Sequence, residues 1–245
     1  MLHPEETFRL IRQAGLDGLE PIAQSVDQIK KVGLILQRLG LKMPSIYMNS
    51  VLHEPRQAEQ SIQKILAIAQ VAKSFGTKIL VTNPSPIRWG SQEAKSDQQL
   101  VFQAKALNRL GKALKQLGIL LAYHNHDIEL RYAAREFHHM MVGTNPQWVS
   151  LCLDAHWIYR GAGNSQVALW DVVELYGDRI VEVHLRQSHN GTWSEVFTAK
   201  DDIDYERLFR RLREKGFDPC GFWNRLSNRE LHIPWIPSHA SKKAR

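Results

Sequence analysis

The 245-residue sequence has no apolar run approaching the roughly 18 to 20 residues that a membrane-spanning helix needs. Its opening, Met1-Leu-His-Pro-Glu-Glu-Thr-Phe8, has neither the charged start nor the apolar stretch of a secretory signal. There are only two cysteines, Cys152 inside an apolar run and Cys220 alone near the end. They form neither a disulfide framework nor a C-x-x-C site, which favours a reducing compartment. The expectation is a cytoplasmic protein with no membrane partner. No linker, low-complexity tract or charge block divides the chain, so a single domain of α/β-barrel size is expected. No strand is followed by the Gly-rich phosphate loop that a dinucleotide-binding unit requires.

The formal charge of +7 raises nucleic acid as a partner, but its distribution argues against one. From Gly221 onward Arg225, Arg229, Lys242, Lys243 and Arg245 face only Glu230. That stretch therefore carries +4 of the +7 and leaves +3 for the rest. The remaining basic residues are scattered at helical spacing, as on solvated faces.

What the sequence does have is an alternation of amphipathic helices and short apolar runs. Pro4-Glu5-Glu6 opens a helix with Phe8, Ile11 and Ala14 on one face, stopped at Gly15. Ser25 to Gln28 reads as a capping box before Ile29, Val32, Leu36 and Leu39. Further helices are expected over 58–75, 100–117, 167–176 and 203–215, most of them followed by Gly. Between them lie strand-like runs at 18–22, 44–48, 78–82, 119–122, 149–154 and 180–184. This order implies βαβ units and a parallel sheet. Six strands with about seven helices fit an incomplete (β/α)8 TIM barrel better than a doubly wound sheet. The first strand of such a barrel would be absent and the last degraded.

Three of the runs finish in potential metal ligands. Ile119 to Ala122 leads into Tyr123-His-Asn-His-Asp-Ile-Glu129, Val149 to Leu153 into Asp154-Ala-His156, and Ile180 to Val183 into His184. Barrel active sites lie at the C-terminal ends of strands, where these groups fall. With these segments in view, the chain resembles the sugar phosphate isomerase/epimerase superfamily with the xylose isomerase-like barrel. That group includes inosose dehydratases, tagatose-type epimerases and hydroxypyruvate isomerases. Gly15 to Glu20, Gly161-Ala-Gly163, Val183-His184-Leu185 and Ile203-Asp204-Tyr205 complete the resemblance, which spans roughly Pro4 to Gly216.

The resemblance implies one divalent ion (Mn, Co, Mg or Zn) held by Asp154 and His184 with His124 and His126, the choice of direct ligand among His124, His126 and Glu129 staying open. Glu129, His156 and Arg186 are catalytic candidates, although relatives place His or Trp at the position of Trp157 rather than at His156, and Arg186 is offered as a clamp for a substrate oxygen. With no thiolate expected nearby, carboxylate and imidazole donors would set the choice of metal. The implied chemistry is proton abstraction alpha to the carbonyl of a small-molecule sugar or polyol, leading to isomerisation, epimerisation or dehydration. Homo-oligomerisation is left open. In relatives a glutamate from the last strand shares in the proton transfer, and here Cys220 to Arg229 lacks it. Phe222-Trp223-Asn224, read from the third base of the Phe codon, yields Leu-Glu for every codon choice. Residues 1–219 are thus expected to form the barrel and 220–245 a divergent, out-of-frame tail. The activity of the chain is left open on that ground.

Each candidate also has a plainer role. His124, His126 and His184 would be bonded interior imidazoles, and Asp154 the cap of a following helix. His156 would face the barrel wall, Arg186 the solvent, and Trp193 would anchor a loop. Glu20 reads as structural, and His138 and His139 as helix packing. A noncatalytic barrel that binds carbohydrate, or more remotely an endonuclease IV-like nuclease, competes with the enzyme reading.

Overall fold

The structure, a computed structural model, describes residues 4–194, 196–198 and 200–217. Five parallel strands form one sheet in the order β1 (Ser45–Ser50), β2 (Ile79–Pro84), β3 (Leu120–His124), β4 (Val149–Asp154) and β5 (Ile180–His184). The helices α1 (Pro4–Gln13), α2 (Val26–Arg38), α3 (Pro55–Lys73), α4 (Asp97–Gln116), α5 (Arg131–Gly143), α6 (Ala155–Gly161), α7 (Gln166–Tyr176) and α8 (Tyr205–Glu214) alternate with them. This is the incomplete (β/α)8 barrel that the pattern predicts. No described helix is long and apolar enough to cross a membrane. The segment 220–245, expected to be a divergent tail without the last-strand glutamate, lies outside the described residues.

The expected strand at 18–22 is reduced to two isolated parallel bridges, Gly18 to Lys42 and Ile22 to Tyr47. Pro21 and Pro44 carry no N–H and interrupt the ladder between these segments. Gly18 is required by the close approach, because a Cβ there would lie 2.5 Å from the Lys42 carbonyl oxygen. Of the capping box expected at Ser25–Gln28 one half forms, with Ser25 Oγ accepting from the Gln28 N–H while Gln28 Oε1 accepts from the Gln24 N–H, and α4 has a full box that the pattern did not mark. There Ser96 accepts from the Gln99 N–H while Gln99 Oε1 accepts from the Ser96 N–H. Two elements were also not foreseen: α6, which starts directly after Asp154, and a hairpin of β6 (Gln187–His189) and β7 (Thr192–Ser194).

The sheet curls strongly. Ser45 on β1 donates from Oγ to Glu182 Oε1 on β5 at 3.0 Å, although these strands occupy opposite ends of the sheet. Curvature divides the apolar residues into two layers. Between sheet and helices lies the main core, with Ile46, Leu80, Leu107, Leu110, Tyr123, Leu151 and Leu153 fully buried. Inside the curl a small cluster of Ile79, Val81, Ala122 and Cys152 packs with Tyr47 and Val181. Period-2 alternation along the strands assigns residues to one layer or the other, except where a register shift between β4 and β5 sets both Val181 and Glu182 on the inner side.

Candidate active site at the strand ends

The mouth of the curl collects the side chains that end β1 to β5. On β3, His124 is buried and its ring centroid lies 4.6 Å from that of His184 on β5 and 4.8 Å from that of His126. Tyr47 on β1 stands edge-on to His124 at 5.6 Å. Burial holds His124 well below the ordinary imidazole range, helped by the nearby His184. His126 is pushed down to about 4 by burial and then by the Arg186 charge. Both rings are therefore neutral, and the buried Nδ1 of each lacks a hydrogen-bond partner among the described residues.

His184 behaves differently. Its Nε2 lies 3.1 Å from Glu20 Oε1 and 3.7 Å from Glu182 Oε1. Burial opposes its charged form, but the Glu182 and Glu20 carboxylates beside Nε2 favour it, and the direction is upward. Burial likewise pushes Glu182 up to about 7. Glu20, expected to be structural, thus belongs to the site. Glu182 and Cys152 were not among the sequence candidates. The signal was available in the alternation, which places Glu182 two residues before His184, and Cys152 two before Asp154, on the same inner face.

Asp154 ends β4 and caps α6, where its Oδ1 accepts from the Trp157 N–H at 3.0 Å. Its Oδ2 accepts from Arg186 Nε at 2.6 Å. The plain role and the candidate role coincide in one carboxylate. It is fully buried, and burial lifts it to about 6 against the pull of Arg186. Asn125 brackets the strand end, donating to the Asp154 carbonyl and accepting from its N–H, both at 3.1 Å. The Arg186 guanidinium lies 5.7 Å from the centroids of both Trp157 and Trp193. Tyr205, from the expected Ile203-Asp204-Tyr205 motif, fixes the Arg186 backbone by accepting from its N–H at 2.9 Å and donating to its carbonyl. Arg186 is therefore a braced side chain rather than a free solvent group.

Glu129 sits behind the mouth. It is fully buried, with Oε1 accepting from Asn83 Nδ2 at 3.0 Å and Oε2 from the His126 N–H at 2.7 Å. Asn83 also donates to the His124 carbonyl at 3.0 Å. Burial lifts Glu129 to about 7. The pair shapes the His124-Asn125-His126 turn, and the Thr82-Asn83 strand end therefore matters despite carrying no ligand. Gly161 keeps α6 close to this loop, since a Cβ there would lie 2.8 Å from the Asp127 carbonyl oxygen. His156 on α6 is buried between Trp157 and Trp193, with centroids at 5.6 and 5.5 Å, and neither ring nitrogen has a partner among the described residues. Burial lowers it to about 4, with Arg160 and Arg186 adding to the effect. His138 packs as its plain role predicts, bonding from the Nδ1 side to the Tyr176 hydroxyl at 2.8 Å.

Two groups among the described residues bring ligand atoms within 4.8 Å of one another: His124, Cys152 and His184, and Glu20, Glu182 and His184. The donor types and the orphaned Glu20 Oε2, Glu182 Oε2 and His124 Nδ1 suit a divalent ion. Of the four expected ligands, His124 and His184 fall in one such group. His126 adjoins it, and Asp154 is engaged by Arg186. Strand alternation turns the Cys152 sulfur inward beside the histidines, a donor the sequence reading did not place there, and burial pushes its thiol up to about 12.

Residues 8–231 match the family model described as the xylose isomerase-like TIM barrel. Among curated proteins the chain is similar to an inosose dehydratase of Clostridium perfringens strain 13, 29% identical and covering 87% of this chain and 79% of the relative. An inosose dehydratase of Clostridium botulinum is 22% identical over the same shares of each chain. Among solved structures, a xylose isomerase-like TIM barrel protein from Mycobacterium smegmatis in complex with magnesium superimposes with a TM-score of 0.68 at 16% identity, covering 87% of this chain and 78% of that one. The 3-keto-D-glucoside 4-epimerase from E. coli gives a TM-score of 0.65 at 16% identity, covering 88% and 84%. The fold, the ordered strand ends and the family match agree: this chain belongs to the xylose isomerase-like TIM barrel family.

Proposed function

We propose that the chain is a metal-dependent enzyme that removes a proton alpha to the carbonyl of a polyhydroxylated ketone, a sugar or an inositol derivative. Epimerisation, isomerisation or loss of water would follow from that common step. One observation carries the reading. His124, His126, Asp154, His184 and Arg186 converge on a single barrel mouth, where the buried Nδ1 atoms of His124 and His126 have no partner among the described residues. The likeness to inosose dehydratases supports an inositol-type ketone and a dehydration outcome.

His124, His126, Asp154 and His184 would hold the ion. When bound, it would polarise the substrate carbonyl and the vicinal hydroxyl. Arg186, braced by Asp154 and Tyr205 between two indoles, would bind a substrate oxygen. The half-exposed Trp89 and Trp193 would flank the ring of a sugar or polyol. His156 holds a neutral imidazole with two unpartnered nitrogens, suited to exchanging a proton with a substrate hydroxyl. Glu182, lifted to about 7, is matched to accept a proton near neutral pH. Glu129, with both oxygens engaged, would act by positioning His126.

Exchange of substrate hydrogen in deuterium oxide tests the reading, because every outcome begins with loss of the same proton. Inosose and a panel of ketoses are incubated with the metal-loaded protein and followed by proton NMR. Loss of one alpha-proton signal, abolished by a chelator, is expected. Stoichiometric metal uptake without exchange on any substrate would instead favour a noncatalytic carbohydrate-binding barrel. That second reading draws support from the closure of Asp154 under Arg186. The proposal that 220–245 is an out-of-frame tail is tested by the nucleotide sequence around Gly216 to Asn224. An uninterrupted frame would end it.

A further inference from the structure

Below the histidines the inside of the curl holds a buried thiol. Bulky aliphatic side chains dominate the interior of most such barrels. Here one layer contains Ala122 and Cys152 beside Ile79 and Val81. The Cys152 sulfur and one ring nitrogen each from His124 and His184 lie within 4.8 Å of one another. Cys152 is a fully buried free thiol, and His124 is 1% exposed with Nδ1 unpartnered. A carboxylate on one nitrogen of an imidazole commonly orients the ring so that its other nitrogen ligates. Glu20, 3.1 Å from His184 Nε2, is in that position, and Glu182 in turn accepts from Ser45.

We propose that Cys152 is a further metal ligand, adding a sulfur beside His124 and His184 to the donors of the mouth and so shifting its choice towards zinc or cobalt over magnesium or manganese. The inference rests on the reading that this mouth binds a divalent ion. Thiolate donors favour softer, tetrahedral ions, whereas carboxylate and carbonyl oxygens suit magnesium and manganese. On binding, the S–H bond breaks heterolytically, the sulfur electron pair forms the S–metal bond, and the proton leaves to solvent; nothing is oxidised or reduced. The competing group, Glu20, Glu182 and His184, offers mostly oxygen and shares His184 with the first. In the proposed arrangement those two acids orient the imidazole and do not touch the ion.

The full chain in a Cys220→Ser background, stripped of metal, is titrated with cobalt(II) and read by absorption. One equivalent is expected to produce a near-ultraviolet sulfur-to-cobalt charge-transfer band. Zinc should displace it, while magnesium and manganese at roughly hundredfold excess should not. Cys152→Ser should lose the band and bind zinc about tenfold or more weakly, with the far-ultraviolet circular dichroism unchanged. Where the variant does not fold, X-ray absorption at the zinc edge of the Cys220→Ser protein reads the bond directly, with sulfur expected at about 2.3 Å. Stoichiometric metal binding with only nitrogen and oxygen around the ion would overturn the role of Cys152 and leave the metal-dependent reading standing. No uptake of any of these ions by the folded protein would overturn both.

Discussion

The two layers of this barrel, outside and inside the curled sheet, are built from the same strands and differ in nearly every physical respect. Outside, Leu80, Leu107, Leu110, Leu151 and Leu153 are buried among other aliphatic side chains, and the buried polar groups there, such as Ser50 with Thr82, and Lys95 and Gln103 with Glu136, are paired with one another. Inside, apolar filling is confined to a few residues, and above it stand buried carboxylates and imidazoles, several with unpartnered atoms. Burying such groups without partners costs free energy, so the inner layer is held in place by the outer one. Stability and chemistry are thereby assigned to alternate residues of each strand.

The sharpest way to break that division is to damage each layer separately. Leu107→Ala, in the outer layer, is expected to lower stability by about 2–5 kcal/mol, read from the urea midpoint, with metal affinity of the folded fraction unchanged. A matching loss of metal affinity would show that the layers are not independent. Arg186→Ala leaves the buried Asp154 carboxylate without its ion-pair partner. Because the Arg186 side chain is 36% exposed, the stability loss should be reduced by solvent to about 1–3 kcal/mol. Proton exchange on substrate should fall below detection if Arg186 holds a substrate oxygen as proposed.

Smaller perturbations sharpen the comparison. Gly161→Ala forces a Cβ against the Asp127 carbonyl and should displace the His126 loop, at about 1–3 kcal/mol by thermal unfolding and with weakened metal binding. Ser45→Ala removes one hydrogen bond to Glu182 and should cost about 1 kcal/mol, testing whether β1 and β5 communicate across the lumen. Smallest is the rim ion pair between α7 and α8. The Arg211 hydrogen bonds hold Glu174 down to about 2 from its ordinary 4.5. A depressed acid contributes stability that is present above its unfolded value and lost as pH falls through the folded one. The contribution should therefore fade between about pH 4.5 and about pH 2. Glu174→Gln should remove that slope at low salt, and high salt should mask the difference.

Much of the architecture was legible because helix and strand periods differ and glycines punctuate them. The strand ends at His124, Asp154 and His184 could be read because an apolar run stopping at a ligand is unusual. The exceptions have local causes. The 18–22 strand shrinks to two bridges where prolines remove ladder donors, and α6 begins directly at Asp154 because that carboxylate caps it. The short β6–β7 hairpin carries too few residues for periodicity to register.

Local sequence therefore determined the order of elements, the family and the strands that end in chemistry, since these depend on patterns within a few turns of chain. Only the tertiary structure decided which groups share the site. Glu20 meets His184 across the lumen, Glu182 meets Ser45 from the far end of the sheet, and Asn83 reaches Glu129 behind the mouth. Those contacts are set by the curvature of the sheet, which brings residues together at separations that local patterns do not encode. The same curvature sets Cys152 beside two histidines, so that a residue reading as core filler in one strand becomes a ligand candidate in the barrel.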